Sequence, residues 1–151
     1  MAIDVENLRV HMVTDDSELY AVWPRIRDGI NAVEKRCKGV FYRPEDVYHA
    51  IKLNQAQLLI GVIDNSYQGF AVIRPESYPD GKGLHILAMQ NAGKDKQFVD
   101  NFLEAIAIFS RIENVIRVSY SSSRIGWEKR SKKCGYKRTA SIHYFESEYK
   151  A

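Results

Sequence analysis

Cysteine is nearly absent: the 151 residues contain two, Cys37 and Cys134. They lie far apart and form no C-x-x-C pair, so neither a disulfide framework nor a thiolate metal centre is expected. Histidine is almost as scarce, and His11, His49, His85 and His143 show no H-x-x-H or H-E-x-x-H spacing. No metal site is expected from them. Long apolar runs are missing too. Stretches such as LLIGVI (58–63) and FAVI (70–73) fall far short of the ~20 residues that cross a bilayer. The start, MAIDVENLRV, has no apolar signal region. A soluble, cytoplasmic protein with no membrane partner is expected. No repeat or low-complexity segment is visible, and the length fits a single domain over 1–151 able to bury its own core.

Charge is nearly balanced, 22 basic against 19 acidic residues for a formal +3, but it is unevenly placed. The window Ser121–Thr139 (SSSRIGWEKRSKKCGYKRT) holds Arg124, Lys129, Arg130, Lys132, Lys133, Lys137 and Arg138 against the single acid Glu128. Outside it, fifteen bases face eighteen acids. Such a run serves as a solvated helix face, as a seat for the phosphates of a cofactor, or as a contact for nucleic acid or an acidic protein. No recognisable nucleic-acid-binding module accompanies it, so a nucleic-acid role has only charge in its favour.

Periodicity gives the elements. Leu8–Val13 reads as a strand, and TDDS (14–17) supplies capping residues for a helix whose stripe is Leu19, Val22, Trp23, Ile26 and Ile30. Pro24 inside that stripe predicts a kink or a break. Pro44, with Glu45 and Asp46 behind it, starts a second helix over 44–54. LLIGVID and QGFAVIR, joined by a turn at Asn65-Ser66, form a hairpin. The turn-forming run PESYPDGKG (75–83) then separates them from a third strand at 84–89. Phe98, Phe102, Ala105, Ile106, Phe109 and Ile112 mark one face of a long helix, and Ile116, Val118 and Tyr120 alternate as a strand. A last helix over the basic segment and a strand at 141–147 complete the order β-α-α-β-β-β-α-β-α-β. The fold class is mixed α+β, with a mostly antiparallel central sheet flanked by helices. The crossover helix makes the strands at 84–89 and 115–120 parallel neighbours.

In this order the chain resembles the GNAT superfamily of N-acetyltransferases, and two stretches carry the resemblance at motif level. Gln90-Asn91-Ala92-Gly93-Lys94-Asp95 stands where that superfamily keeps its Q/R-x-x-G-x-G/A pyrophosphate loop. Small residues there let backbone N–H groups reach phosphates, and the following helix N-terminus adds partial positive charge. Gln90 and Gly93 match; Asp95 replaces a small residue and brings a carboxylate. Gly126-Trp127-Glu128-Lys129 and Lys133-Cys134-Gly135-Tyr136 resemble the N-x-x-A-x-x-L-Y-x-K-x-G-F segment. Gly135-Tyr136 fill the Gly-Phe positions, whereas Ser131 falls on the tyrosine that protonates the departing thiolate, Trp127 on a small residue and Arg124 on the asparagine. The R-x-G-W-E-(x)n-G-Y arrangement is similar to small GNAT-like proteins of tailed bacteriophages, some linked to virion assembly, which implies phage structural proteins as partners.

The resemblance implies acetyl-CoA as cosubstrate and a small-molecule or protein amine as acceptor. It implies that Ile86, Leu87, Ala88 and Met89 carry the pantetheine on their backbone. Gln90, Asn91, Ala92, Gly93 and Lys94, with Arg124, Lys129 and Lys133, would meet the phosphates. Candidate bases are His85, Glu104 and His143; His85 is preferred because it lies on the cofactor strand with a pKa suited to proton uptake near neutrality. Tyr120 and Tyr136 are candidate replacements for the missing acid. Two readings result: an active acyltransferase, or a catalytically inactive GNAT-fold binding or assembly component in which Asp95 and Ser131 record lost chemistry. The aromatic tail HYFESEY either finishes a sheet edge or pairs across a homodimer.

Overall fold

In a computed structural model, residues 2–36 and 43–120 are described. The chain begins with a hairpin, β1 (Ala2–Val5) and β2 (Leu8–Met12), before the 21-residue α1 (Asp16–Arg36) and α2 (Pro44–Lys52). A meander comes next, β3 (Gln57–Ile63), β4 (Ser66–Tyr78) and β5 (Gly81–Asn91), then α3 (Phe98–Ile112) and β6 (Arg117–Tyr120). The six strands form one sheet in sequence order. Every pairing is antiparallel except β5 with β6, which is parallel as the crossover through α3 requires. The sheet matches the expected mixed, mostly antiparallel class. The expected last helix and strand lie outside the described residues. No described helix is long and apolar enough to cross a membrane.

The sheet buries both faces. On one, Leu8, Val10, Leu59, Ala71, Ile73, Leu84 and Ile86 meet the stripe of α3. On the other, Leu58, Ile60, Phe70, Val72 and Ala88 meet Leu19, Ile26 and Ile30 of α1 and Val47 and Ile51 of α2. Trp23 and Tyr48 pack edge to face at 4.9 Å where α1 and α2 touch. The start of α3 is seated through a specific device: Gly61 and Gly69 lie opposite each other on β3 and β4. A methyl group on the first would stand 2.9 Å from Phe98 Cε2 and on the second 2.7 Å from its Cζ. The two missing side chains make the dimple that accepts a fully buried Phe98.

The structure departs from the sequence-based expectations in several places. β1 is an additional strand: pairing with β2 from Ala2↔His11 to Val5↔Leu8 draws it into the sheet. Pro24 does not break α1; the carbonyl it leaves without a donor belongs to Tyr20, which is 78% exposed, so water can serve it. The hairpin turn is Asp64-Asn65, both at positive φ, with Ile63 and Ser66 already paired, a geometry that suits the sheet twist. The turn-rich run 75–83 is mostly strand. β4 and β5 stay in register to Tyr78↔Gly81, and Pro75 is tolerated because beyond Ile73 β4 has no β3 partner to receive an N–H. Ile112, expected on the buried stripe, is 56% exposed at the end of α3.

Phe98→Ala should lower unfolding free energy by about 3–5 kcal/mol, read from urea denaturation, because a dimple built from two glycines cannot collapse around a smaller side chain.

Candidate functional site

The site is organised by β5. It pairs with β4 along its length and, among the described residues, with β6 from Gly83↔Arg117 to Ile86↔Tyr120. From Leu87 to Asn91 the register partners among the described residues come from β4 alone. A bulge falls at the same place, since Ile73 faces Ile86 and Val72 faces Ala88, leaving Leu87 as the extra residue. Its effect on orientation is visible in the packing: Leu87 and Ala88 both contact the α1/α2 side, whereas Ile86 and Met89 join the α3 side. Bulges bend a strand and re-aim its side chains, and here the bulge follows directly on the last described pair with β6.

After β5, the loop 92–97 leads into α3. Its amides divide into two groups. Ala92 and Gly93 donate to the Gln68 carbonyl at 2.8 and 3.0 Å, Gly93 also approaches Asn91 Oδ1 at 3.1 Å, and Gln97 donates to Asp95 Oδ1 at 2.8 Å. The amides of Lys94, Asp95 and Lys96 donate to no described residue. Asn91 Nδ2 holds the Asp95 carbonyl at 3.0 Å, which also accepts from Phe98. Gly93 is a close-approach position: a Cβ there would collide with the Gln68 amide group. Gln90 lies against Gly29 of α1 rather than against the loop. Three amides without a described partner, flanked by lysines, suit a phosphate, but the Asp95 carboxylate, bound to the Gln97 amide in an Asx turn just ahead of α3, opposes an anion there.

A polar array covers the first half of β5 on the α1/α2 side. Strand register sets Arg74, His85 and Ser119 in one row, and Glu76, Gly83 and Arg117 in the next. His85 Nδ1 lies 2.9 Å from Ser119 Oγ. Arg74 Nη2 donates to Glu76 Oε1 at 3.1 Å, and the Tyr78 hydroxyl donates to Glu76 Oε2. Arg117 pairs with Asp80 at 3.0 Å and stacks on the Tyr78 ring at 4.5 Å. Burial pushes the His85 pKa down, Glu76 partly opposes that shift, and Arg74 adds to it. The Glu76 carboxyl is held below its usual range, first by the Tyr78 hydrogen bond.

His85 and Tyr120 are not brought together. They stand on adjacent strands, but Tyr120 packs into the α3-side cluster while His85 lies in the polar array on the opposite face. Glu104 is exposed on α3. Leu87, Ala88, Met89, Gln90, Asn91, Ala92, Gly93 and Lys94 follow one another along β5 and its loop. Arg124, Lys129, Lys133, Ser131, Tyr136 and His143 lie outside the described residues. Sequence reasoning missed Glu76, Tyr78, Ser119 and Gln68. The first two sit in the run 75–83, where turn formers hide the period-two alternation of Arg74, Glu76 and Tyr78.

No family model matches the chain, and no curated protein matches it. Solved structures do. A probable acetyltransferase superposes with a TM-score of 0.71 at 12% identity, covering 95% of this chain and 99% of its own. A predicted acetyltransferase with acetyl-CoA from Clostridium acetobutylicum gives 0.65 at 13% identity, with 91% and 96% covered. A GNAT family acetyltransferase from Staphylococcus aureus gives 0.66 at 13%, with 93% and 99% covered. The chain has the GNAT acetyltransferase fold.

Asp95→Asn keeps the oxygen that caps Gln97 but removes the charge. It should tighten CoA binding about two- to fivefold at low salt, measured by titration calorimetry; unchanged or weaker affinity would place the phosphates elsewhere.

Proposed function

We propose that the chain is an N-acyltransferase that moves an acetyl group from acetyl-CoA to an amine, with His85 as the base. The observation that carries the reading is the second half of β5. Its backbone runs past the last described β6 pair and ends in a loop that feeds the N-terminus of α3. Leu87, Ala88 and Met89 would hold the pantetheine through that backbone. Gln90, Asn91, Ala92 and Gly93 shape the turn, and the free amides from Lys94 onward take phosphate oxygens, with Arg124, Lys129 and Lys133 proposed to complete the seat. When bound, acetyl-CoA supplies an activated acyl thioester. The protein adds alignment and proton management, which suffice for direct attack by an amine.

His85 suits the second task. Burial keeps it neutral near pH 7, and its Nε2 has no partner among the described residues, so that nitrogen is open to the surplus proton of an acceptor amine. Tyr120 faces the other side of the sheet at the last described β5–β6 pair. We assign it the complementary task of protonating the departing thiolate, so that base and acid address the slot from opposite faces.

The test is a set of thermal melts with CoA, acetyl-CoA, ATP and short DNA. A ligand at about 100 times its dissociation constant adds roughly 2.7 kcal/mol, so CoA and acetyl-CoA should raise the midpoint and the others should not. A cooperative melt with no CoA shift would sink the reading. It would favour the alternative, a GNAT-fold binding or assembly component, which the Asp95 cap and the Gln68-bound amides support. With an acceptor found by screening primary amines, His85→Gln should lower kcat/KM by about 10²–10⁴. A base must be deprotonated, so wild-type kcat/KM should rise with pH and level off above a pKa lying below the ordinary 6.5.

A further inference from the structure

We infer that Arg74 and Arg117 form a recognition site for an anionic oxygen group beside His85, and that the acceptor is a small primary amine carrying a carboxylate or phosphate close to its nitrogen. The catalytic meaning of the site rests on the function proposed above, whereas its binding of such a compound does not.

Strand register places the two arginines. On the α1/α2 side of the sheet Arg74 of β4 stands directly opposite His85 of β5, which puts the two Cβ atoms about 5 Å apart. Arg117 lies two residues before Ser119 on β6, and Ser119 pairs with His85. Side chains two apart on a strand share a face, so the guanidinium groups come from the strands on either side of the imidazole. Each arginine side chain is 47% exposed.

Unspent hydrogen-bond donors decide what these groups take. An arginine carries five N–H donors. Arg74 gives one to Glu76 Oε1 at 3.1 Å and Arg117 one to Asp80 Oδ2 at 3.0 Å; among the described residues no other side chain accepts from either. The carboxylate nearest the base is committed in the opposite sense. Glu76 receives Arg74 on one oxygen and the Tyr78 hydroxyl on the other, and only 25% of its side chain is exposed. Asp80 sits in the turn between β4 and β5, at the far end of the array from His85. The two ion pairs balance in charge, yet the surface around the base is left rich in donors and poor in free acceptors. A guanidinium fork with N–H groups to spare matches carboxylate and phosphate oxygens two at a time.

Arg117 is also held in advance. It stacks on the Tyr78 ring at 4.5 Å, and that ring lies over Gly83, where a Cβ would strike it. Less side-chain freedom is then lost when the arginine closes on a ligand. Arg74 limits the acceptor's length. An anionic group held directly opposite His85 leaves the amine at the imidazole only if the two groups are near neighbours in the molecule, as they are in glycine, β-alanine and phosphoethanolamine.

The experiment titrates the whole protein, without CoA, with those three compounds and with counterparts that lack the anionic group. The His85 ring signals are followed by 1H–15N NMR and identified by their loss in His85→Gln. Glycine and β-alanine against ethylamine report on a carboxylate, and phosphoethanolamine against ethanolamine on a phosphate. In at least one set the anionic compound should bind about tenfold more tightly, and Arg74→Gln and Arg117→Gln should each remove most of that preference. Equal binding of anionic and neutral compounds in both sets, or a preference that survives both substitutions, overturns the site. The wild-type comparison needs no variant to fold. The CoA-dependent melt separates the two readings: anion-selective binding without a CoA shift defeats the function and leaves the site, and a CoA shift without anion preference defeats the site alone.

Discussion

β5 pairs with β4 along its length and, among the described residues, with β6 over its first half. Everything proposed for the site depends on that strand. A strand in the middle of a sheet normally has both rows of backbone groups consumed by its neighbours. β5 is held by β4 and by two packed faces, and the bulge at Leu87 falls within it. It bends β5 away at the residue following the last described pair and turns two successive side chains, Leu87 and Ala88, towards α1 and α2. One local irregularity thus sets which side of the sheet these core residues join.

The segment beyond the slot is held with similar economy. Phe98 docks the first turn of α3 into the Gly61–Gly69 dimple, and so fixes where that helix begins relative to β5. The intervening loop is pulled against β4 by the Gln68 carbonyl and closed by Asn91 and Asp95. These bonds order the loop in advance, which favours binding by cutting the entropy that would otherwise be lost. They also consume amides and leave a carboxylate at the helix start. The balance between preorganisation and opposition is the physical question that separates an acyltransferase from a GNAT fold put to another use.

The sheet separates tasks by face. On the α3 side lie the loop, the helix start and Tyr120. On the α1/α2 side lies an ordered polar array whose charges are paired locally, Arg74 with Glu76 and Arg117 with Asp80. A neutral imidazole can be kept amid such charges because the two ion pairs largely cancel and burial disfavours the imidazolium.

Much of this is legible in the sequence. The α3 stripe, the α1 stripe, the hairpin at 64–65 to within a residue, and the parallel β5–β6 relation through a crossover all come from periodicity and handedness, which are local or topological rules. His85, Gln90 and Gly93 could be singled out because their positions relative to a strand end and a helix start are themselves local. Three features needed the folded chain. Pro24 survives inside α1 because the carbonyl it orphans happens to face water. The run 75–83 is strand because Tyr78 and Gly83 interlock across it, and cross-strand packing outweighs turn propensity. The partners of His85 come from residues nine positions before it and 34 positions after it. Periodicity along the sequence determined which residues face one another's layers. Only the pairing of distant strands decided which side chain meets which, because register is set by the simultaneous burial of two sheet faces and no single segment carries that information.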